Sequence, residues 1–166
     1  MKETTEKNLQ DAFAGESQAH VKYAVFADRA EREGLANVAR LFRAASYSEQ
    51  IHATNHLKAL GLGQTPENLQ VALSGETFEI TTMYPEYMQA AEEDDEKRAL
   101  GSMHDANEAE KVHAALYARA KETVAAGADM PVVAIFVCPV CGYTMEGEAP
   151  ERCPVCNAPS SKFLEF

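Results

Sequence analysis

Basic residues are scarce in this 166-residue chain, with 15 lysines and arginines against 26 aspartates and glutamates and a formal net charge of −11. A surface of that sign repels phosphate, so neither nucleic acid nor an anionic membrane is an expected partner. Long apolar runs are missing too. The longest, Pro131 to Val137, is far too short to cross a bilayer. Met1 to Gln10 is polar and lacks the apolar stretch of a secretion signal, so a cytoplasmic location is expected. Tryptophan is absent, and cysteine is confined to Cys138, Cys141, Cys153 and Cys156. In a reducing compartment, cysteines in two tight pairs read as a metal site rather than as disulfides.

What is present is a helical pattern. Residues 4–33, rich in Ala, Glu, Lys and Gln, form a first helix with Thr4 or Thr5 as its cap and Gly34 at its end. A second runs from about Leu35 to Leu60 and stops at Gly61 and Gly63. Thr65 then caps a third, with Pro66 in its first turn, extending to about Asp94; a fourth covers about Asp95 to Ala126. Pro85 lies inside the third helix and removes a backbone hydrogen bond there, which predicts a kink or a π-bulge. After Gly127 the pattern changes: Val132, Val133 and Ile135–Val137 read as a strand, followed by a tail rich in Cys, Pro and Gly. The expected organisation is a helical bundle over residues 1–127, a linker over 128–135 and a small four-cysteine domain over 136–166.

An internal repeat carries the functional reading. Ala14-Gly15-Glu16 recurs as Ser74-Gly75-Glu76, and Glu49-x-x-His52 recurs as Glu110-x-x-His113. From Glu16 to Glu49 is 33 residues, and from Glu76 to Glu110 is 34. Each half is therefore a helical hairpin with one acid on its first arm and an acid–imidazole pair on its second. Residues three apart share a helix face, so both members of each pair can point inward. One Glu from each of two helices with Glu-x-x-His from two others is the ligand pattern of di-iron or di-manganese carboxylate bundles. A single Glu-x-x-His on a helix is usually a solvated face; two in register, each with a matching lone Glu, are not. The repeat breaks where Glu79 stands opposite Ala19, so the two metals are not equivalent. His20, His56 and His104 have no matching partner and read as ordinary helix residues.

The tail holds Cys138-Pro139-Val140-Cys141-Gly142 and Cys153-Pro154-Val155-Cys156-Asn157. Each Cys-x-x-Cys turn places two thiolates on one side, and two such turns complete a tetrahedron. Gly142 and Asn157 suit the left-handed conformation these turns need. Iron and zinc both accept four thiolates, so spacing alone leaves the metal open.

Residues 9–28, 45–60, 72–91 and 106–117 resemble the ligand-bearing helices of the rubrerythrins, most distinctively in Ala14-Gly15-Glu16-Ser17-Gln18, Gly75-Glu76-Thr77-Phe78-Glu79 and Met83-Tyr84-Pro85-Glu86. Cys138 to Phe163 resembles that family's rubredoxin-like tail, although the loop between knuckles is short. The resemblance implies an all-α, ferritin-like four-helix bundle with a small C-terminal rubredoxin-like β knuckle domain. It implies a di-iron centre held by Glu16, Glu49, His52, Glu76, Glu79, Glu110 and His113, with one iron exchanging between Glu79 and His52 on redox change. Tyr23 and Tyr84 match tyrosines that hydrogen-bond to ligand carboxylates. A third iron is expected on Cys138, Cys141, Cys153 and Cys156, zinc being the substitute.

The function so implied is an oxidoreductase that reduces hydrogen peroxide to water in oxidative stress defence. Electrons would come from an external rubredoxin or NAD(P)H-linked reductase through the four-cysteine iron. A homodimer, plain or helix-swapped, goes with it. Two other readings compete: a ferroxidase or iron-handling ferritin-like protein, and a binding module built on a zinc ribbon. The ribbon lacks a basic or aromatic patch, and an iron-storage shell needs neither Glu79 nor an electron relay.

Overall fold

The computed structural model describes the whole chain, Met1–Phe166. Two compact units divide it, Met1–Leu62 and Gly63–Phe166. The first is a helical hairpin of α1 (Glu3–Arg32) and α2 (Ala36–Leu60). Its start differs from the expected one: Lys2 occupies the cap position and neither Thr4 nor Thr5 caps. Its turn follows from Gly34, whose φ of +80° suits a residue without Cβ. The Gly34 N–H donates to the Glu31 carbonyl and the Leu35 N–H to that of Ala30, the bond pair by which a left-handed residue closes a helix end.

The seam between α1 and α2 is made of small residues. Ala27, Ala30, Ala39, Ser46 and Ala53 are its buried side chains, which lets the helices approach closely. One polar clasp crosses it: Ser46 Oγ donates to the His20 carbonyl at 2.8 Å, and His20 Nδ1 donates back to the Ser46 carbonyl at 2.9 Å. His20 is thus a structural residue of the hairpin. Val21, Val25, Leu41 and Ile51 stay exposed, so the larger apolar side chains of this unit are not what its own seam consumes.

The second unit contains α3 (Thr65–Phe78), a π-helical turn (Glu79–Met83), α4 (Tyr84–Glu93) and α5 (Lys97–Ala125), with α3 and α4 both packed on α5. Gln64 takes the cap position expected of Thr65. The interruption at Pro85 is the π-bulge anticipated from sequence. Pro85 has no N–H to give to Thr81, and the Tyr84 N–H reaches back five residues to Glu79. Thr77 and Thr81 hydroxyls, bonded to carbonyls one turn earlier, add to the local distortion. Asp95, at φ +54°, makes the tight turn into α5.

The tail is a three-stranded antiparallel sheet in the order β2-β1-β3, with β1 Ile135–Val137, β2 Thr144–Glu146 and β3 Leu164–Glu165. The strand is shorter than the apolar run suggested, because Val132 and Val133 lie outside it. Cys138, Cys153 and Ala158 form its buried centre, covered by Tyr143, Val155 and Phe163. Strand β2 lies against α5, where Arg119 pairs with Glu146. No helix is long and apolar enough to cross a membrane.

The alanine seam yields a stability prediction. Ala39→Leu forces a larger side chain into a fully buried position and should cost about 1–3 kcal/mol in urea unfolding, while Leu41→Ala, at an exposed site, should cost far less in a single chain.

Candidate metal centres

The first hairpin turns Glu16 of α1 toward Glu49 and His52 of α2. His52 Nδ1 lies 2.9 Å from Glu49 Oε2 and 3.8 Å from Glu16 Oε1. The second unit repeats this arrangement with other residues. His113 Nδ1 lies 2.6 Å from Glu110 Oε2 and 3.9 Å from Glu76 Oε2. In each trio the three donor atoms lie within 4.8 Å of one another, close enough to share an ion. The helix spacing explains both: Glu-x-x-His puts acid and imidazole on one face, and the packed arm supplies the third donor.

The two trios differ in charge behaviour. Glu49 is held below the ordinary carboxylate range, chiefly by its hydrogen bond to His52 and also by Glu16. Glu76 goes the other way, to about 7, because burial is joined by the hydrogen bond and negative charge of Glu110 and by Glu79. Glu79 is raised by burial and by Glu110, with His113 opposing. It stands outside the trio of donors but close enough to feel it. Tyr84 is likewise raised, by burial first and then by Glu79, Glu110 and Glu76. Tyr23 packs in an aromatic group with Phe26 and Phe42, at ring-centroid distances of 6.2 Å to each.

The tail brings its four cysteines together. Cys138 and Cys156 sulfurs are 3.6 Å apart, and those of Cys141 and Cys153 are 3.5 Å apart. A tetrahedron with metal–sulfur bonds of about 2.3 Å has edges of roughly 3.8 Å, so this is ligand spacing and not disulfide spacing. Both knuckles close alike: Gly142 N–H donates to the Cys138 carbonyl and Asn157 N–H to that of Cys153, each at 2.9 Å. Gly142 at φ +81° and Asn157 at φ +62° take the left-handed conformation expected of them. Burial raises the Cys138 thiol, but backbone N–H groups of Val140 and Cys141 together with neighbouring thiols outweigh it and bring it down to about 7. Cys141 and Cys156 are pushed up, burial first.

The donor chemistry of these residues fits metal ions. Both kinds of cluster press together groups that cannot all ionise without a cation. Carboxylate and neutral imidazole suit iron in either common oxidation state, and four thiolates suit tetrahedral iron or zinc. The fit is good at both. One further neighbour had no signal in the sequence: His113 Nε2 lies 2.8 Å from Thr144 Oγ1 of β2. The contact joins residues 31 apart in different kinds of structure, where no periodicity points.

Glu76 sets a pH dependence. Its value near 7 means the metal-free group is protonated below that pH and must give up the proton to bind a cation. In protein whose four-cysteine site is already filled with zinc, ferrous-ion binding should release about one more proton at pH 6 than at pH 8. Calorimetry in buffers of different ionisation enthalpy measures it. Because the folded value lies above the ordinary 4.5, the metal-free fold should also lose stability as pH rises from about 4.5 through about 7.

Comparison with known proteins agrees with this chemistry. Residues 7–121 match the family described as Rubrerythrin, and residues 136–164 match its rubredoxin-like domain. Rubrerythrin-2 of Clostridium acetobutylicum is 38% identical over 95% of this chain and 94% of its own. Nigerythrin of Nitratidesulfovibrio vulgaris is 34% identical over 98% of this chain and 87% of its own. A solved structure of nigerythrin in a partially reduced state superposes with a TM-score of 0.59 at 32% identity, covering 98% of this chain and 86% of that one. With these matches at hand, the repeated carboxylate–imidazole hairpins and the paired cysteine knuckles have one reading: the chain belongs to the rubrerythrin family of iron oxidoreductases, with ferritin-like di-iron helices and a four-cysteine rubredoxin-like tail.

Proposed function

We propose that the protein is a non-haem di-iron peroxidase that reduces hydrogen peroxide to water, fed with electrons by an external rubredoxin or NAD(P)H-linked reductase through its four-cysteine iron. The observation that carries this reading is that Glu76, Glu79, Glu110 and His113 share one compact unit with all four cysteines. Iron storage has no use for that arrangement. In the proposal Glu16, Glu49, His52, Glu76, Glu79, Glu110 and His113 hold the iron pair, and Cys138, Cys141, Cys153 and Cys156 hold the third iron. The bundle would occupy residues 1–127 and the relay domain 136–166, joined by 128–135, in the cytoplasm.

When bound, the iron pair supplies the two electrons that cleave the O–O bond and the Lewis acidity that orients both oxygens. Everything else falls to the chain. Glu16, Glu49, Glu76, Glu79 and Glu110 together carry one negative charge more than two ferrous ions neutralise, and one fewer than two ferric ions bring. Neither oxidation state is then left with a large uncompensated charge. Converting one peroxide to two waters consumes two protons along with the two electrons. Glu76, at about 7 without a cation, and Glu79, raised beside it, are the carboxylates best placed to take up a proton when a metal bond is released, whereas Glu49, held low, stays ionised as a fixed donor. Tyr84 keeps its proton beside them and can donate a hydrogen bond to whichever carboxylate carries charge. Glu79 and His52 are proposed to exchange as ligands between oxidation states, and Tyr23 to orient a carboxylate.

A homodimer, plain or helix-swapped, completes the proposal. Its support is the apolar side chains Val21, Val25, Leu41 and Ile51, exposed on the first unit, which a second copy of the chain would cover.

The test is kinetic. Protein carrying about three irons per chain, fully reduced under argon, should be oxidised by hydrogen peroxide rapidly and completely. Slow or partial oxidation, with retention of many irons in a large shell, would instead favour a ferroxidase. Replacing both Glu49 and Glu110 by Ala should lower iron content from about three to about one per chain by elemental analysis, since only the cysteines remain intact. Size-exclusion chromatography should give a dimer.

A further inference from the structure

We propose that Thr144 is a positioning residue of the di-iron centre: it holds His113 in the tautomer that offers Nδ1 to the metal and joins that imidazole to the four-cysteine knuckle. The inference rests on the reading of Glu76, Glu110 and His113 as iron ligands.

Hydrogen-bond bookkeeping fixes the direction. Thr144 Oγ1 lies 2.8 Å from His113 Nε2 and 3.1 Å from the Gly142 carbonyl. A threonine hydroxyl has one proton and a carbonyl can only accept. With that proton given to Gly142, Thr144 Oγ1 accepts from His113 Nε2, so Nε2 keeps its proton while Nδ1, 2.6 Å from the Glu110 carboxylate, gives up its own when a metal ion takes that place. Nδ1 is the atom turned to Glu110 and Glu76. A metal-bound imidazole that donates through its other nitrogen is fixed in orientation and made a better ligand. Thr144 is only 7% exposed, and Leu69, Leu116 and Ile135 line an apolar cleft beside it, so water competes poorly for either bond.

The same residue reaches the knuckle. Gly142 directly follows Cys141, and its N–H is tied to the Cys138 carbonyl at 2.9 Å. A continuous path therefore runs from the Cys141 sulfur through the Gly142 peptide and two hydrogen bonds to the His113 ring. Within the first unit His52, half exposed at 50%, contacts Glu49 and Glu16. With iron in both sites, this bridge would carry one electron from the tetrathiolate site, ferrous becoming ferric, to one iron of the pair, ferric becoming ferrous. No bond or proton need change. An external one-electron donor restores the tetrathiolate iron.

Thr144→Val keeps the β-branched shape and the backbone pairing with Val137, and Thr144→Ser returns the hydroxyl. In full-length, zinc-loaded, ¹⁵N-labelled protein, the His113 Nε2 proton should exchange slowly in the wild type and in Thr144→Ser, and be lost in Thr144→Val. Affinity of the pair for ferrous ion should fall about 10-fold in Thr144→Val and recover in Thr144→Ser. After fully reduced protein meets one equivalent of peroxide, the visible absorption of the ferric tetrathiolate site grows as its electron leaves. That growth should slow about 10-fold or more in Thr144→Val and recover in Thr144→Ser. A protected Nε2 proton with unchanged affinity and transfer rate in Thr144→Val overturns the proposal, as does failure of Thr144→Ser to restore them. If the wild-type pair is not oxidised by peroxide at all, the peroxidase reading fails, and the Nε2 proton and ferrous affinity still decide the role of Thr144.

Discussion

Crowding of like-charged groups is the constraint on which this protein is built. Glu76, Glu79 and Glu110 stand close enough that burial and mutual repulsion lift Glu76 to about 7 and raise Glu79 with it. The four thiols repeat the problem in sulfur, where Cys138 ionises readily and Cys141 and Cys156 resist. Neither cluster reaches its lowest free energy as protein alone, and a cation resolves both. Metal ions in such a chain are therefore part of the fold's electrostatics as well as its chemistry.

The helices hold that crowding in place by economy of side chains. The first hairpin closes on alanines and one Ser46–His20 clasp, which brings α1 and α2 near enough for Glu16 to reach His52. In the second unit the π turn at Glu79–Met83 does related work. The extra residue it accommodates resets the helix phase after Glu79, so that Tyr84 comes to lie within the field of Glu76, Glu79 and Glu110. Pro85 favours that turn, since its missing N–H forbids the ordinary bond to Thr81.

Legibility in the sequence followed the range of the interactions. Glu-x-x-His and Cys-x-x-Cys are set by local geometry: each Glu-x-x-His pair shares a face within its own unit, and the two Cys-x-x-Cys turns come together as their spacing implied. Gly142, Asn157 and Gly34 took their left-handed conformations for equally local reasons. Helix starts were less readable, because Lys2 and Gln64 cap by backbone position while the nearby threonines leave their hydroxyls uninvolved. The apolar run Val132–Val137 overstated its strand, because the ladder pairing covers Ile135–Val137 and stops short of Val132 and Val133. The division after Leu62 was not legible, since it depends on which helices pack together. Thr144 was invisible for the same reason: its bond to His113 spans two elements that no periodicity connects.

That last contact changes how the near-symmetry of the chain is understood. The repeat makes the two trios alike in distance, yet the departures from symmetry beside the donors fall in the second unit. The extra carboxylate Glu79, the π turn, the raised Glu76 and the bridge through Thr144 all lie there. The first trio, with Glu49 held low and His52 half exposed, behaves as a fixed anionic cradle. On the proposed peroxidase reading, a centre that takes electrons singly and spends them in pairs needs an entry point, and an imidazole tied through a hydroxyl to the cysteine knuckle is suited to be that entry. Glu76 and Glu79, raised beside it, would then take up protons where charge arrives, which on that reading links the asymmetry of the ligands to the direction of electron flow.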